Sequence, residues 1–218
     1  MNFTTGLLAA ASCFVIVAAR PALAADRPSL VAAIGASASK PRLRGADSSN
    51  VIAGGSPGLI AGVNVSLPVS HRFSIQPEVF YTQKSFSFAT PVGQANTFSA
   101  SERWDFVEVS ILGTIGIQPA ATPSFYVVFG PGFSFVRRAK ETHRAGTVTG
   151  VVFSLPDIDV KDQIRPDVSV IGGVGITVRH FSLEGRYDAG LRNINNGLDI
   201  GNFKVKTGAF SVLAGWRF

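Results

Sequence analysis

Three histidines, His71, His143 and His180, are the side chains here most suited to proton transfer near neutral pH, and only His143 has a carboxylate, Glu141, close by in sequence. His71 and His180 sit in very short polar connections and His143 in a long one, so only His143, with Glu141, is placed near an outer rim where a small barrel could carry catalysis, and a solvated loop histidine is the simpler reading. The single cysteine, Cys13, lies in an apolar leader run, so the rest of the chain has neither disulfide nor thiolate chemistry. Asp157-Ile158-Asp159-Val160-Lys161-Asp162 lacks the glycine and the closing glutamate of a calcium loop, and Gly172-Gly173-Val174-Gly175 opens no helix that would cap a phosphate. The expectation is a protein with no catalytic residues, no metal and no cofactor.

The chemistry that the spacing does support is ion pairing. Glu184, Arg186, Asp188 and Arg192 fall on alternate positions, and the apolar Phe181, Leu183, Tyr187, Ala189 and Leu191 take the positions between them. Same-face neighbours on a strand stand about 7 Å apart, close enough for such charges to bridge to one another or across to the next strand. Ser74, Gln76, Glu78, Thr82 and Lys84 alternate in the same way with Phe73, Ile75, Val79 and Tyr81, and Glu108, Ser110, Thr114 and Gln118 share a face.

The elements that must position these charges are strands. Residues 206–218 are the clearest: Phe210, Val212, Ala214, Trp216 and Phe218 share one face of a run that ends the sequence. Similar segments fall at 29–39, 58–68, 73–86, 104–118, 125–138, 167–178 and 181–192, eight in all. Short connections (69–72, 119–124, 179–180) alternate with long ones (40–57, 87–103, 139–166, 193–205). At the start, Leu7 to Ala19 is too short to span a bilayer and leads to Ala22-Leu23-Ala24. Residues 1–24 therefore read as a secretory signal peptide and 25–218 as one domain.

A long apolar strand at an open sheet edge invites aggregation, and closing the sheet removes the edge. Arg or Lys facing lipid at mid-depth costs about 2–4 kcal/mol, so the charged face belongs inside and the apolar face outside, the reverse of a soluble ligand carrier. The predicted fold is all-β, an eight-stranded antiparallel up-and-down transmembrane β-barrel. Its lumen would be filled by a network of Glu78, Lys84, Glu108, Glu184, Arg186, Asp188 and Arg192, because eight strands enclose little more than their own side chains. Phe73, Phe125, Phe181, Trp216 and Phe218 would form an aromatic girdle at the short-turn end, with Tyr81, Phe133, Phe135, Tyr187 and Phe210 nearer the other interface. Trp104 departs from the pattern, sharing the parity of Glu108 and Ser110.

The chain carries a formal charge of +6, and many of its cations, Lys40, Arg42, Lys84, Arg103, Arg137, Arg138, Lys140 and Arg144 among them, map to the long-loop end. Arg137, Arg138, Lys140 and Arg144 are the candidate contacts to lipopolysaccharide phosphates, for which these side chains are suited donors. A leader and a lipid-facing exterior argue against nucleic acid as the partner of this charge.

Residues 57–65 (PGLIAGVNV) with 72–84 (RFSIQPEVFYTQK), Gly130-Pro131-Gly132, residues 181–187 (FSLEGRY) followed by Gly190-Leu191 and Asn193-Ile194, and Gly215-Trp216-Arg217-Phe218 together resemble the PorT-like outer-membrane β-barrel domain family. The resemblance covers roughly 57–218 and implies a small barrel in the outer membrane of a diderm bacterium. Some members of that family are linked to protein secretion. Trp216 and Phe218 are similar to the terminal signal that barrel-assembly machinery reads. The expected role is structural or accessory, with secretion or envelope proteins as partners; a narrow porin or small-solute channel and a rim enzyme acting on lipid A are the alternatives.

Overall fold

Alternation over this many segments produces a wall with two chemically distinct faces. In the computed structural model, which describes residues 27–44, 52–92, 96–117, 123–146, 152–154, 157–194 and 204–218, that wall is closed. Its strands are β1 (Ser29–Ser39), β2 (Ile52–Pro68), β3 (Phe73–Val92), β4 (Asn96–Gly116), β5 (Ser124–Gly146), β6 (Asp167–Val178), β7 (Phe181–Gly190) and β8 (Gly208–Arg217). Each pairs antiparallel with the next, and β8 returns to β1 with Val31 opposite Arg217 and Ser39 opposite Ala209. Phe218 N–H donates to the Leu30 carbonyl at 2.9 Å, extending the seam to the last residue of the sequence. The eight strands expected from alternation are the eight strands of the barrel. Residues 1–26, including the expected leader, lie outside the described residues.

The outer face is apolar. Ile34, Val63, Val79, Ile111, Phe129, Val174, Leu183 and Val212 all stand exposed on it, without a polar neighbour of the same parity in mid-strand. A soluble protein does not leave so continuous an apolar band in water; acyl chains are its natural solvent. At the short-turn end Phe125, Phe181, Trp216 and Phe218 are exposed at one level. Phe181 meets Trp216 edge-on at 4.6 Å, and His180 stacks on the same indole at 5.6 Å. Residues 179–180 make the tightest hairpin, with Arg179 in the left-handed region (φ 55°) that such a turn requires.

The wall is uneven in height. β2 to β5 run 17, 20, 21 and 23 residues, while β1 and β6 to β8 run 11, 12, 10 and 10. Since about 9–11 tilted residues cross a bilayer, the four long strands continue well past the lipid. The stretches 40–57, 87–103 and 139–166, expected as loops, are therefore largely sheet among the described residues. Sequence alternation fades there because outward positions above the lipid no longer need apolar side chains: Ser101, Arg103, Arg138 and Lys140 occupy them. A bulge contributes as well. Asp105 pairs with Arg138 but Phe106 pairs with Val136, so Arg137 is an extra residue on β5. Below it Ser134 faces inward; above it Ala139 and Glu141 do, and Arg137 and Arg138 are both exposed at the switch.

Candidate functional site

The inner face is built from the even-numbered residues of β3, β4 and β7 and the odd-numbered residues of β6 and β8. Arg186 dominates the lower half. Its guanidinium pairs with Glu78 Oε1 at 2.7 Å through one terminal nitrogen and with Glu184 Oε1 at 2.9 Å through the other. Ser110 Oγ donates to the same Glu78 oxygen at 2.6 Å, Gln76 Nε2 to the other at 3.3 Å, and Tyr126 O–H to Glu184 Oε2 at 3.1 Å. The buried Phe80 lies with its ring 4.9 Å from the guanidinium carbon, roofing the cluster. Room for these groups comes from glycine. A Cβ on Gly173 would stand 2.9 Å from the Arg186 Cβ, and one on Gly175 would stand 2.2 Å from the Tyr126 ring.

A second ion pair sits nearer the long-strand end. Lys84, fully buried, reaches Asp188 Oδ2 at 2.8 Å and lies 5.3 Å from the Phe106 ring. Glu108 accepts from Ser134 Oγ at 3.0 Å, and Asp167 accepts from the Thr207 hydroxyl. Six of the seven expected network residues therefore meet inside the barrel, in two clusters rather than one. Arg192 does not join them: β7 stops at Gly190, and Arg192 lies exposed beyond it. Lys84, counted among the rim cations by sequence position, is interior and adds nothing to the rim. Asp167 was not among the expected residues, although it shares inward parity with Ser169 and Ile171 at the head of β6.

Above the Lys84 pair the lumen turns apolar. Phe86, Trp104, Phe106 and Ala139 from the long strands pack with Val160, Ile164, Ile194 and Val205 from the connecting segments, all buried. Phe86 meets Trp104 edge-on at 4.7 Å, and Trp104 meets Phe106 at 6.4 Å. Trp104 keeps the parity of Glu108 because it is an interior residue in a different layer, a plug. The segments that complete the plug are pinned by backbone bonds: Val160 N–H to the Ala139 carbonyl at 3.2 Å and Ile194 N–H to the Val205 carbonyl at 3.0 Å. A short ribbon pairing Arg42–Arg44 with Lys204–Lys206 stands beside them.

Glu102, with Asp105 and Glu141, is a buried carboxylate of this upper region, beyond the lipid band. It stands opposite Glu141 on β5, with its carboxylate buried beside the Trp104 indole. Burial, reinforced by the charge of Glu141, pushes its carboxyl up to about 8 from an ordinary 4.5. A carboxyl whose folded value exceeds its unfolded value stabilises the fold fully below the unfolded value, and that contribution is lost as pH rises through the folded one. The upper barrel is thus expected to loosen between about pH 4.5 and 8, read as faster amide exchange around Trp104. Glu102→Gln should flatten that dependence; an unchanged pH profile in the variant would assign it to another group.

Outside, at the same level, Arg138 and Lys140 are exposed with Arg137, and Lys140 donates to Asp157 Oδ2 at 3.1 Å. Thr142 and Lys140 together hold the Asp157 carboxyl below its usual range. The Arg144 side chain lies outside the described residues. His71 and His180 are exposed at the short turns, and His180 Nδ1 lies 3.1 Å from the Arg217 carbonyl. Among the described residues no set of three or more His, Cys, Asp and Glu is placed to hold a metal. Below Arg186, the lumen opens toward the short turns as a blind basin of about 330 Å³.

An eight-stranded antiparallel barrel with an apolar exterior and a charged, filled interior defines the outer-membrane class of β-barrel. Residues 30–196 match the family described as "Outer membrane protein beta-barrel domain", and the chain belongs to that family. It is an outer-membrane β-barrel protein. Solved structures similar to it include Ail, the attachment invasion locus protein of Yersinia pestis (15% identity, 88% of this chain and 100% of that one, TM-score 0.43). OprG of Pseudomonas aeruginosa is similar at 10% identity, covering 89% and 97% with a TM-score of 0.45. Neisserial surface protein A is similar at 13% identity, covering 88% and 100% with a TM-score of 0.41. No curated protein matches the chain.

Proposed function

We propose that this protein is a non-conducting, non-enzymatic barrel with a structural or accessory role in the envelope, of the PorT-like kind, exported by a leader cleaved near Ala24. The observation that carries the reading is the obstruction of the lumen. The Arg186 cluster, the Phe80 ring, the Lys84–Asp188 pair and the apolar plug follow one another from the basin to the outer mouth. Passing an ion would require displacing buried ion pairs and then wetting or moving the three packed aromatic side chains of the plug, and each step is costly in a confined interior. Outside, Arg137, Arg138 and Lys140, with Arg144 above them in sequence, stand where lipopolysaccharide phosphates lie and supply charge-assisted donors to them. Secretion or envelope proteins would then engage the tall outer strands or the periplasmic turns.

Planar-bilayer recording tests this directly. The intact barrel should insert without discrete conductance steps, and so should a variant with Phe86, Trp104 and Phe106 replaced by alanine, because the Arg186 cluster and the Lys84–Asp188 pair still close the lumen beneath the plug. Regular steps from the unaltered protein would assign a narrow channel instead. A shift in lipid A mass on expression would assign a rim enzyme.

A further inference from the structure

The basin beneath Arg186 is more than the unfilled end of a barrel. Of the charged side chains that line it, Arg27, Arg72, Arg186 and Arg217 are cations, and the single carboxylate, Glu184, is already held by Arg186 and Tyr126. Arg27 precedes β1, Arg72 closes the β2–β3 turn, Arg217 ends β8, and Arg186 forms the floor. Arg27, Arg72 and Arg217 thus bring positive charge to one concavity from three separate elements, while the charge of Arg186 at the floor is matched by Glu78 and Glu184. Arg186 and Arg217 each leave Nε buried without a hydrogen-bond partner. A buried donor left unsatisfied costs free energy that an acceptor arriving from outside would recover. The remaining wall is rich in hydroxyls, Ser74, Thr114 and Ser182 among them. A volume of about 330 Å³ lies at the lower end of small-molecule sites.

We propose that this periplasm-facing basin is a binding site for a small phosphorylated polyol, a molecule of sugar-phosphate size. Its phosphate would meet the guanidinium forks of Arg27, Arg72 and Arg217, whose planar donors match tetrahedral oxyanions, with the Arg186 Nε as one further donor at the floor, and its hydroxyls would replace water on the serine and threonine wall. Because the floor is closed by the Arg186–Glu78 pair, the site retains its ligand rather than passing it on. The inference concerns the periplasmic mouth alone and stands whichever way the conductance of the lumen is decided.

The test is calorimetric titration of the full barrel in a polyoxyethylene detergent, which carries neither phosphate nor sugar, with glucose 6-phosphate, inorganic phosphate and glucose as probes. Glucose 6-phosphate should bind at one saturable site, inorganic phosphate more weakly, and glucose undetectably. Arg27 and Arg72 are exposed, so R27Q/R72Q should leave the barrel folded while weakening glucose 6-phosphate binding by roughly tenfold or more, the worth of one charged hydrogen bond. K161Q/K204Q, which removes the same charge from the opposite end, should leave it unchanged. The proposal is overturned by any of three results: no saturable binding of glucose 6-phosphate, binding that survives R27Q/R72Q, or inorganic phosphate binding as tightly as the sugar phosphate.

Discussion

Arg186→Ala should lower the unfolding free energy of the barrel by about 3–5 kcal/mol, the usual consequence of leaving a buried charge without its partner. Two carboxylates, Glu78 and Glu184, depend on that guanidinium, and both are nearly inaccessible to water. Phe80 would also lose the group beneath its ring. Leu183→Ala, three residues earlier on the same strand, should cost far less, because Leu183 is half exposed on the outer face and acyl chains can fill the space it vacates. Urea titrations in detergent micelles measure both. Replacing Arg186, Glu78 and Glu184 together by apolar residues should recover much of the loss, since no charge is then stranded. Equal costs for Arg186→Ala and Leu183→Ala would mean that the two faces of β7 have been exchanged.

Removing residues 216–218 should all but abolish the folded barrel. Trp216 sits opposite Ala32 on β1 and Phe181 on β7, Arg217 N–H donates to the His180 carbonyl at 2.8 Å, and Phe218 N–H to Leu30. The deletion therefore opens the first rungs of both seams of β8 and strips the aromatic contacts of His180 and Phe181. It also removes the two aromatic side chains proposed to guide assembly. The heat-modifiable band on electrophoresis should fall to a small fraction of the parent's. A normal amount of that band would show that neither the seam nor the aromatic pair is needed at this end.

The lipid-spanning part of this molecule was legible because lipid enforces a rule on every outward position. Between Phe125 and Phe135, or Phe181 and Tyr187, parity alone separates the acyl-facing side from the lumen. Outside the bilayer that rule lapses. At Ser101, Arg103, Arg138 and Lys140 the outward residues are polar, so the upper strands read as loops although the backbone continues as sheet. The extra residue at Arg137 reverses parity without any mark in composition, and Trp104 looked anomalous only because its layer is apolar. The plug was the least legible part. Val160, Ile164, Ile194 and Val205 come from connecting segments with no period, and three-dimensional closure alone brings them over the lumen. Arg192 stays outside the lumen because the strand ends at Gly190, one step before alternation would have carried it inside.

The unequal strand lengths give the molecule a direction within the plane of the membrane. β2 to β5 rise as one tall panel, while among the described residues β6 and β7 end lower and β1 and β8 are prolonged by the three-residue ribbon of Arg42–Arg44 with Lys204–Lys206, so a neighbour approaching from the panel side meets a taller sheet than one from the opposite side. A cylinder looks the same from every compass bearing; this barrel has a front and a back. Any assembly it enters must therefore choose a bearing as well as a depth, and copies or partners packed around it will be ordered by azimuth even where the lipid-facing belt is uniform.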